Sequence, residues 1–227
     1  SRDLRQLTET NSFAQFTQAL HSPKAMQKAE VEKPLWLAMS NTDGNVALVG
    51  KRSKVKASIP SWIEDAVLQR GHKLYRTRSG ELLLAAYIEA LAAIRQTPRV
   101  SLLMESNGRT QSFVAADFSN TVGWMTSAYP FSVTLEEDKE DQKNWPAIIE
   151  KVRDTAQRIS DQGLGFGILR EIAKDKELRS HRLPQIAFNY LGKIAGDKQA
   201  PFVILDEAGG LGNLASLGLT PGIEFAA

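Results

Sequence analysis

Hydrophobic and polar positions divide the chain into segments typical of helices and strands. Residues 80–95 (GELLLAAYIEALAAIR) are apolar nearly all round, which predicts a buried helix. Residues 145–159 repeat apolar positions at helical spacing, which predicts a helix with one apolar stripe. Residues 99–105 alternate between the two faces of a strand, and the turn-forming residues 106–108 end it. Because helices and strands alternate along the chain, the pattern favours a layered α/β fold.

Shorter segments complete this prediction. Residues 22–34 are polar and hold two prolines, so residues 1–34 are expected to form a helical lead-in and connector. A helix is expected to begin with Ser61 as its cap and to end at Gly71, and Gly163 is expected to close the helix over 145–159. The acidic run 136–141 is expected to be a solvated loop. Further helices are predicted over 11–21 and 163–173, and strands over 45–50, 53–59, 129–135, 185–191 and 201–206.

Composition limits the class of protein. The 227 residues suffice for one domain or one large subdomain, and we treat 1–227 as a single unit. The net charge of +2, from 28 basic and 26 acidic residues, gives no reason to expect nucleic acid or an anionic membrane as partner. There are no cysteines, which excludes disulfides and thiolate chemistry. No apolar run approaches the roughly 20 residues of a membrane span, and the first residues lack a signal-peptide pattern, so we expect a cytoplasmic protein.

Common cofactor and metal motifs do not fit the chain. Gly163, Gly165 and Gly167 follow a predicted helix rather than a strand, which argues against a nucleotide-binding loop. The three histidines are scattered and lack the spacing of metal ligands, so no metal site is predicted.

Four ordered segments resemble the core motifs of the condensation superfamily of nonribosomal peptide synthetases, most closely its epimerization branch. Residues 75–86 are similar to the family's "YRT…ELLLTAL" helix, and residues 105–109 resemble its "EGHGRE" motif. Residues 117–130 are close to "VSRTVGWFTSxYP". Residues 163–170 and 188–192 resemble "GxGYGILRY" and "FNYLG". Together the matches cover about half of the chain.

The resemblance implies a chloramphenicol-acetyltransferase-like lobe, with a mixed sheet packed against helices. The family's active site lies in a tunnel between two such lobes, and its HHxxxDG motif belongs to the N-terminal lobe. This sequence contains no HHxxxDG, so we expect it to supply mainly the C-terminal lobe. The implied partners are the N-terminal lobe and a peptidyl carrier protein. No cofactor is expected to bind directly, because the 4′-phosphopantetheine is attached to the carrier.

The resemblance also implies site residues. Glu105 matches the family's catalytic glutamate, which gives or takes the α-proton opposite a histidine of the other lobe. A hydrated carboxylate at a strand end is the structural alternative. Asn189 and Tyr190 are expected to line the tunnel and bind the thioester carbonyl or enolate, although Tyr190 also fits a packed core. Trp124, Thr121 and Arg109 are the expected substrate-binding residues. Trp124 and Thr121 are expected to shape a loop between the lobes, although Trp124 also fits a packed core. Arg109 is expected to form an ion pair with Asp117 or to contact the phosphopantetheine phosphate.

Three functions remain open at this point. The first is an epimerization lobe that inverts carrier-bound aminoacyl or peptidyl thioesters. The second is a non-catalytic carrier-protein interaction module, favoured by the missing histidines and by three changes in the glutamate motif. The third is a lobe of a condensation domain that forms peptide bonds. The changed motif positions are Ser106, Asn107 and Thr110.

Overall fold

The centre of the fold is a mixed β-sheet. A computed structural model describes residues 11–40, 57–110, 116–136, 143–190 and 223–226. Within these ranges the sheet has the order β2-β1-β3-β4. The strands are β1 (Arg99–Ser106), β2 (Ser127–Thr134), β3 (Ile186–Asn189) and β4 (Ile223–Ala226).

The strand register brings the end of β1 next to the end of β3. Strands β1 and β2 are antiparallel, with Ser106 opposite Ser127. Strands β1 and β3 are parallel, with Met104 opposite Phe188. The residues that follow, Glu105 and Asn189, therefore lie side by side at the same end of these two strands. Strand β4 is parallel to β3. Both β1 and β3 therefore present polar side chains at one end of the sheet.

Helices cover both faces of the sheet. Leu84 and Ile88 pack with Val152, Val133 and Leu102 in one apolar cluster. On the opposite face, the Ser132 hydroxyl donates to the Met39 carbonyl oxygen at 3.0 Å. The helices are α1 (Phe13–Leu20), α2 (Pro23–Ser40), α3 (Ser61–Asp65), α4 (His72–Leu74), α5 (Ser79–Arg95), α6 (Trp145–Gln157), α7 (Leu164–Gly167) and α8 (Lys176–Ser180). In these described ranges, no helix combines the length and the apolar character that a bilayer crossing requires.

The expectation of a connector over 22–34 is wrong, because helix α2 spans Pro23–Ser40. Pro23 lies at its first position, where a proline costs no hydrogen bond. Pro34 is inside the helix but on its exposed side. An internal proline costs about 3 kcal/mol. Complete burial of Trp36 and Ala29 in the second apolar cluster offsets this cost, which local sequence does not reveal.

The predictions that Gly71 and Gly163 each end a helix are also wrong. The helical path does not end at Gly71, since α3 continues through a π-helical segment, Ala66–Gly71, into α4. Helix α6 ends at Gln157, and Gly163 instead closes a separate 3₁₀ turn, Asp161–Gly163. Both glycines lie close to neighbouring side chains: a Cβ at Gly71 would lie 2.9 Å from the Leu82 Cδ1, and a Cβ at Gly163 would lie 2.0 Å from the Tyr129 ring. Close packing, rather than helix termination, explains them.

The main predicted elements are confirmed. They are the helices over 11–21, 80–95, 145–159 and 163–173 and the strands over 99–105, 129–135 and 185–191, each with shifted ends. Helix α5 is buried on one side only, since Ile94 is 79% exposed. The predicted strands 45–50 and 201–206 lie outside the described residues, as does most of 53–59 and of the acidic run 136–141. Strand β4 lies after residue 206, where the pattern predicts no element.

Replacing Asp175 with Asn is expected to reduce the decrease in the free energy of unfolding as the pH falls into the acid range. The Asp175 carboxylate accepts from the Leu178 amide at 2.9 Å and from the Lys33 ammonium at 2.6 Å. The Leu178 amide, and then Lys33, lower the pKa of Asp175 in the folded chain. Its stabilisation is therefore present above the unfolded pKa of about 3.9 and is lost as the pH falls through the lower folded value. Urea unfolding between about pH 3 and pH 7 measures this, and equal acid slopes in both proteins contradict it.

Candidate active site

Glu105 lies near the end of β1 and is held by a side chain from β3. The Asn189 side-chain amide donates to the Glu105 Oε2 at 3.1 Å. The two residues are 84 positions apart in the chain, and the parallel register of β1 and β3 brings them together. Glu105 is half-buried. A carboxylate with one oxygen bonded to a neutral amide has a defined orientation and remains able to accept a proton.

A cavity of about 850 Å³ opens beside Glu105. Tyr190 lies in its wall and packs on the first turn of α5, where a Cβ on Gly80 would lie 2.8 Å from the Tyr190 Cδ1. Both polar and apolar side chains from the sheet, from α5 and α6 and from the turn after β1 line the wall. Its lining comprises Arg78, Ser79, Gly80, Glu81, Leu84, Met104, Glu105, Ser106, Thr110, Tyr129, Phe131, Ala156, Gln157, Ile159, Asp161, Gln162, Phe188 and Tyr190.

The turn after Glu105 depends on a glycine. Gly108 has φ +65°, and a Cβ there would lie 1.8 Å from the Met125 carbonyl oxygen. Only glycine combines this left-handed conformation with so close an approach of two backbone segments. Asn107 accepts from the Arg109 amide at 3.1 Å through its side-chain oxygen and so tightens the turn. The changed residues of the glutamate motif therefore still form a defined turn.

Sequence reasoning missed a second polar element of the cavity. Asp161 and Gln162 belong to the 3₁₀ turn between α6 and α7 and lie in the cavity wall. The adjacent Gly163 was the available signal, because a glycine after a helical segment is typical of a turn. In the structure Gly163 has φ +75° and packs against the Tyr129 ring. Nothing in the residue types indicates that the side chains at 161 and 162 reach the turn after β1.

The predicted substrate-binding residues lie outside this cavity. The Arg109 guanidinium donates to the carbonyl oxygens of Thr121 at 3.0 Å and Gly123 at 3.1 Å. Thr121 is buried, and its hydroxyl donates to the Asn11 carbonyl oxygen. Trp124 is 57% exposed. Arg109 therefore holds the loop that presents Trp124, and a role of these residues in binding substrate stays a prediction.

Burial changes the acid–base behaviour of one cavity residue. Burial raises the pKa of the Tyr129 hydroxyl, although the Ser106 side chain and the positive charge of Arg78 oppose the shift. Tyr129 is therefore neutral near pH 7 and able to donate a hydrogen bond. In the part of the chain that the structure describes, no group of three His, Cys, Asp or Glu side chains is placed to hold a metal ion.

Comparisons with known proteins agree with the resemblance seen in the motifs. A family model described as "Condensation domain" matches residues 9–209. Bacitracin synthase 2 of Bacillus licheniformis is 30% identical over 200 residues, which is 83% of this chain and 7% of that protein. Bacitracin synthase 1 of the same organism is 29% identical over 150 residues, which is 63% of this chain and 3% of that protein. This chain thus spans only a small part of these relatives.

Two solved structures share the fold. The epimerization domain from the third module of tyrocidine synthetase B superposes with a TM-score of 0.65 and 24% identity, over 80% of this chain and 42% of that chain. The first condensation domain of the calcium-dependent antibiotic synthetase, in complex with a substrate analogue, superposes with a TM-score of 0.52 and 14% identity. That superposition covers 76% of this chain and 36% of the other. The predicted mixed α/β fold of the chloramphenicol-acetyltransferase type is confirmed.

The family model covers most of the chain, the related proteins are peptide synthetases, and the fold is that of solved epimerization and condensation domains. This chain therefore belongs to the condensation-domain family of nonribosomal peptide synthesis.

Proposed function

We propose that this chain is the C-terminal lobe of an epimerization domain, which inverts the L-configured α-carbon of a carrier-bound aminoacyl or peptidyl thioester. The observation that carries this proposal is Glu105, held by Asn189 at the strand end and open to a cavity of about 850 Å³. Activity requires the N-terminal lobe that carries HHxxxDG. The domain division proposed is one lobe over 1–227.

The proposed reaction is a proton exchange at one carbon. Epimerization removes the α-proton from one face of the carbon and returns a proton to the other, which suits two acid–base groups on opposite sides. The Glu105 carboxylate takes the proton and leaves an enolate, and a protonated histidine of the other lobe supplies the new proton. In the reverse direction the two groups exchange roles. Proton exchange with solvent then returns Glu105 to the carboxylate and the histidine to its protonated form, so no net change in atoms or charge occurs.

Neighbouring side chains support this role for Glu105. The Asn189 amide orients the carboxylate through one oxygen. The Tyr190 side chain lies in the same cavity wall, where its hydroxyl is proposed to donate to the thioester oxygen as negative charge develops on it. Donors already in place stabilise an enolate without reorganisation. The half-buried position reduces competition from water for the same bonds.

The proposed partner is a cytoplasmic peptidyl carrier protein. It brings the substrate as a thioester on 4′-phosphopantetheine, which is part of the substrate here rather than a resident cofactor. Trp124 and Val122, exposed by 57% and 94% on the loop held by Arg109, are proposed to face the other lobe or the substrate entrance.

The test combines this chain with the HHxxxDG lobe and a carrier protein loaded with an L-aminoacyl thioester. Hydrolysis and chiral chromatography are expected to show D-amino acid that increases with time and requires both lobes. A parallel reaction contains an acceptor aminoacyl carrier. Acceptor-dependent peptide without inversion would assign the lobe to peptide-bond formation. Carrier binding without either product would assign a non-catalytic interaction module.

A further inference from the structure

The turn between α6 and α7 has an unusual backbone. Asp161, Gln162 and Gly163 have φ angles of +49°, +55° and +75°. For residues other than glycine, the left-handed conformation costs roughly 1–2 kcal/mol each, so two successive cases persist only where surrounding contacts hold them. Gly163 packs on Tyr129, since a Cβ there would lie 2.0 Å from the ring. The turn is thus pressed against β2 beside the cavity.

Gln162 joins this turn to the turn that follows Glu105. Its Oε1 accepts from the Gly108 amide at 3.0 Å and from the Ser106 hydroxyl at 3.4 Å. Its backbone oxygen accepts from the Ser127 hydroxyl, and Ser127 is paired with Ser106 in the sheet. One residue therefore holds both the end of β1 and the partner position on β2. The left-handed backbone directs its side chain to the turn rather than along the helix path.

Asp161 continues the same network towards helix α2. Its side chain is 5% exposed and forms an ion pair with Lys28 at 2.5 Å. Its Oδ1 accepts from the Thr110 hydroxyl at 3.0 Å. The neighbouring Ser160 hydroxyl donates to Glu32. Lys28 and Glu32 both belong to α2, so these contacts join the turn to that helix.

We propose that Gln162 is a positioning residue that holds the turn Ser106–Gly108 and, through it, the carboxylate of Glu105 at the cavity. The side-chain oxygen of Gln162 supplies the acceptor that the Gly108 amide needs. The catalytic consequence rests on the proposed function of Glu105, whereas the hold on the turn is a property of the chain itself. Two separate readouts test these two statements.

The first readout is the hydrogen-exchange rate of the Gly108 amide in this chain, measured by NMR. Gln162→Ala is expected to increase the exchange rate of the Gly108 amide about tenfold, because the substitution removes roughly one hydrogen bond. Gln162→Glu keeps an acceptor oxygen at the same reach and is expected to retain slow exchange. Gln96→Ala is the matched control, because Gln96 has φ +50° but caps the far end of α5. Equal exchange at Gly108 in wild type and Gln162→Ala would overturn the proposal.

The second readout is epimerization with the HHxxxDG lobe and loaded carrier. Gln162→Ala is expected to lower kcat about 10- to 100-fold, since displacement of a catalytic group by about 1 Å has effects of that size. KM is expected to stay nearly constant, and Gln162→Glu to recover most of kcat. A wild-type level of kcat in Gln162→Ala would overturn the positioning role. Inactive wild type would instead reject the proposed function, and Gly108 exchange would still decide whether Gln162 holds the turn.

Discussion

Glu105→Gln is expected to lower the rate of epimerization by at least about 100-fold, within the range contributed by a general acid–base group. The amide has the shape of the carboxylate, and its oxygen still accepts from Asn189, so the strand end and the cavity should be preserved. It cannot accept the α-proton near neutral pH. The measurement is the initial rate of D-amino acid formation from the L-thioester, and of L from D, with both lobes present.

A second measurement separates proton removal from inversion. In D₂O, Glu105→Gln is expected to exchange the α-proton of one starting enantiomer at most, because one of the two opposed groups is missing. Glu150→Gln is the matched control, an exposed glutamate on α6 that does not line the cavity. It should retain wild-type rates. Wild-type inversion by Glu105→Gln would remove Glu105 from the mechanism.

Gly108→Ala is expected to destabilise the folded chain by about 2–5 kcal/mol, from overpacking of about 1–3 and the left-handed backbone of about 1–2. The added Cβ would lie 1.8 Å from the Met125 carbonyl oxygen, and two backbone segments must separate to admit it. Because that separation displaces the turn held by Gln162, epimerization should fall as well. Urea unfolding followed by circular dichroism measures the free energy of unfolding.

Gly167→Ala is the matched control for this substitution. A Cβ at Gly167 meets no atom within 4 Å, and its backbone is helical with φ −63°. Alanine in a helix is favoured over glycine by about 0.5–1 kcal/mol, so this variant should be slightly more stable than wild type. Similar unfolding midpoints for Gly108→Ala and Gly167→Ala would contradict the steric explanation for Gly108.

The candidate site was predictable in part, since it combines local and distant contacts. Alternation over 99–105 followed by turn residues was sufficient to locate Glu105 near a strand end, because strand period and turn chemistry are local properties. Family resemblance drew attention to Asn189. Its 3.1 Å bond to Glu105 depends on the parallel register of β1 and β3, which joins residues 84 positions apart. Residue type and spacing did not indicate a role for Gln162, because that role follows from a backbone conformation that glutamine rarely adopts.

The sequence by itself determined the α/β class, the principal helices and strands, and the motif order that identifies the family. These follow from apolar periodicity and from residue types at fixed spacing, which act over a few neighbours. Only the tertiary structure decided that α2 is a helix despite Pro34, since burial of Trp36 stabilises it. It also decided that Arg109 holds a loop through the carbonyl oxygens of Thr121 and Gly123. Such outcomes depend on burial and on contacts between distant segments, and those energies exist only once the chain has folded.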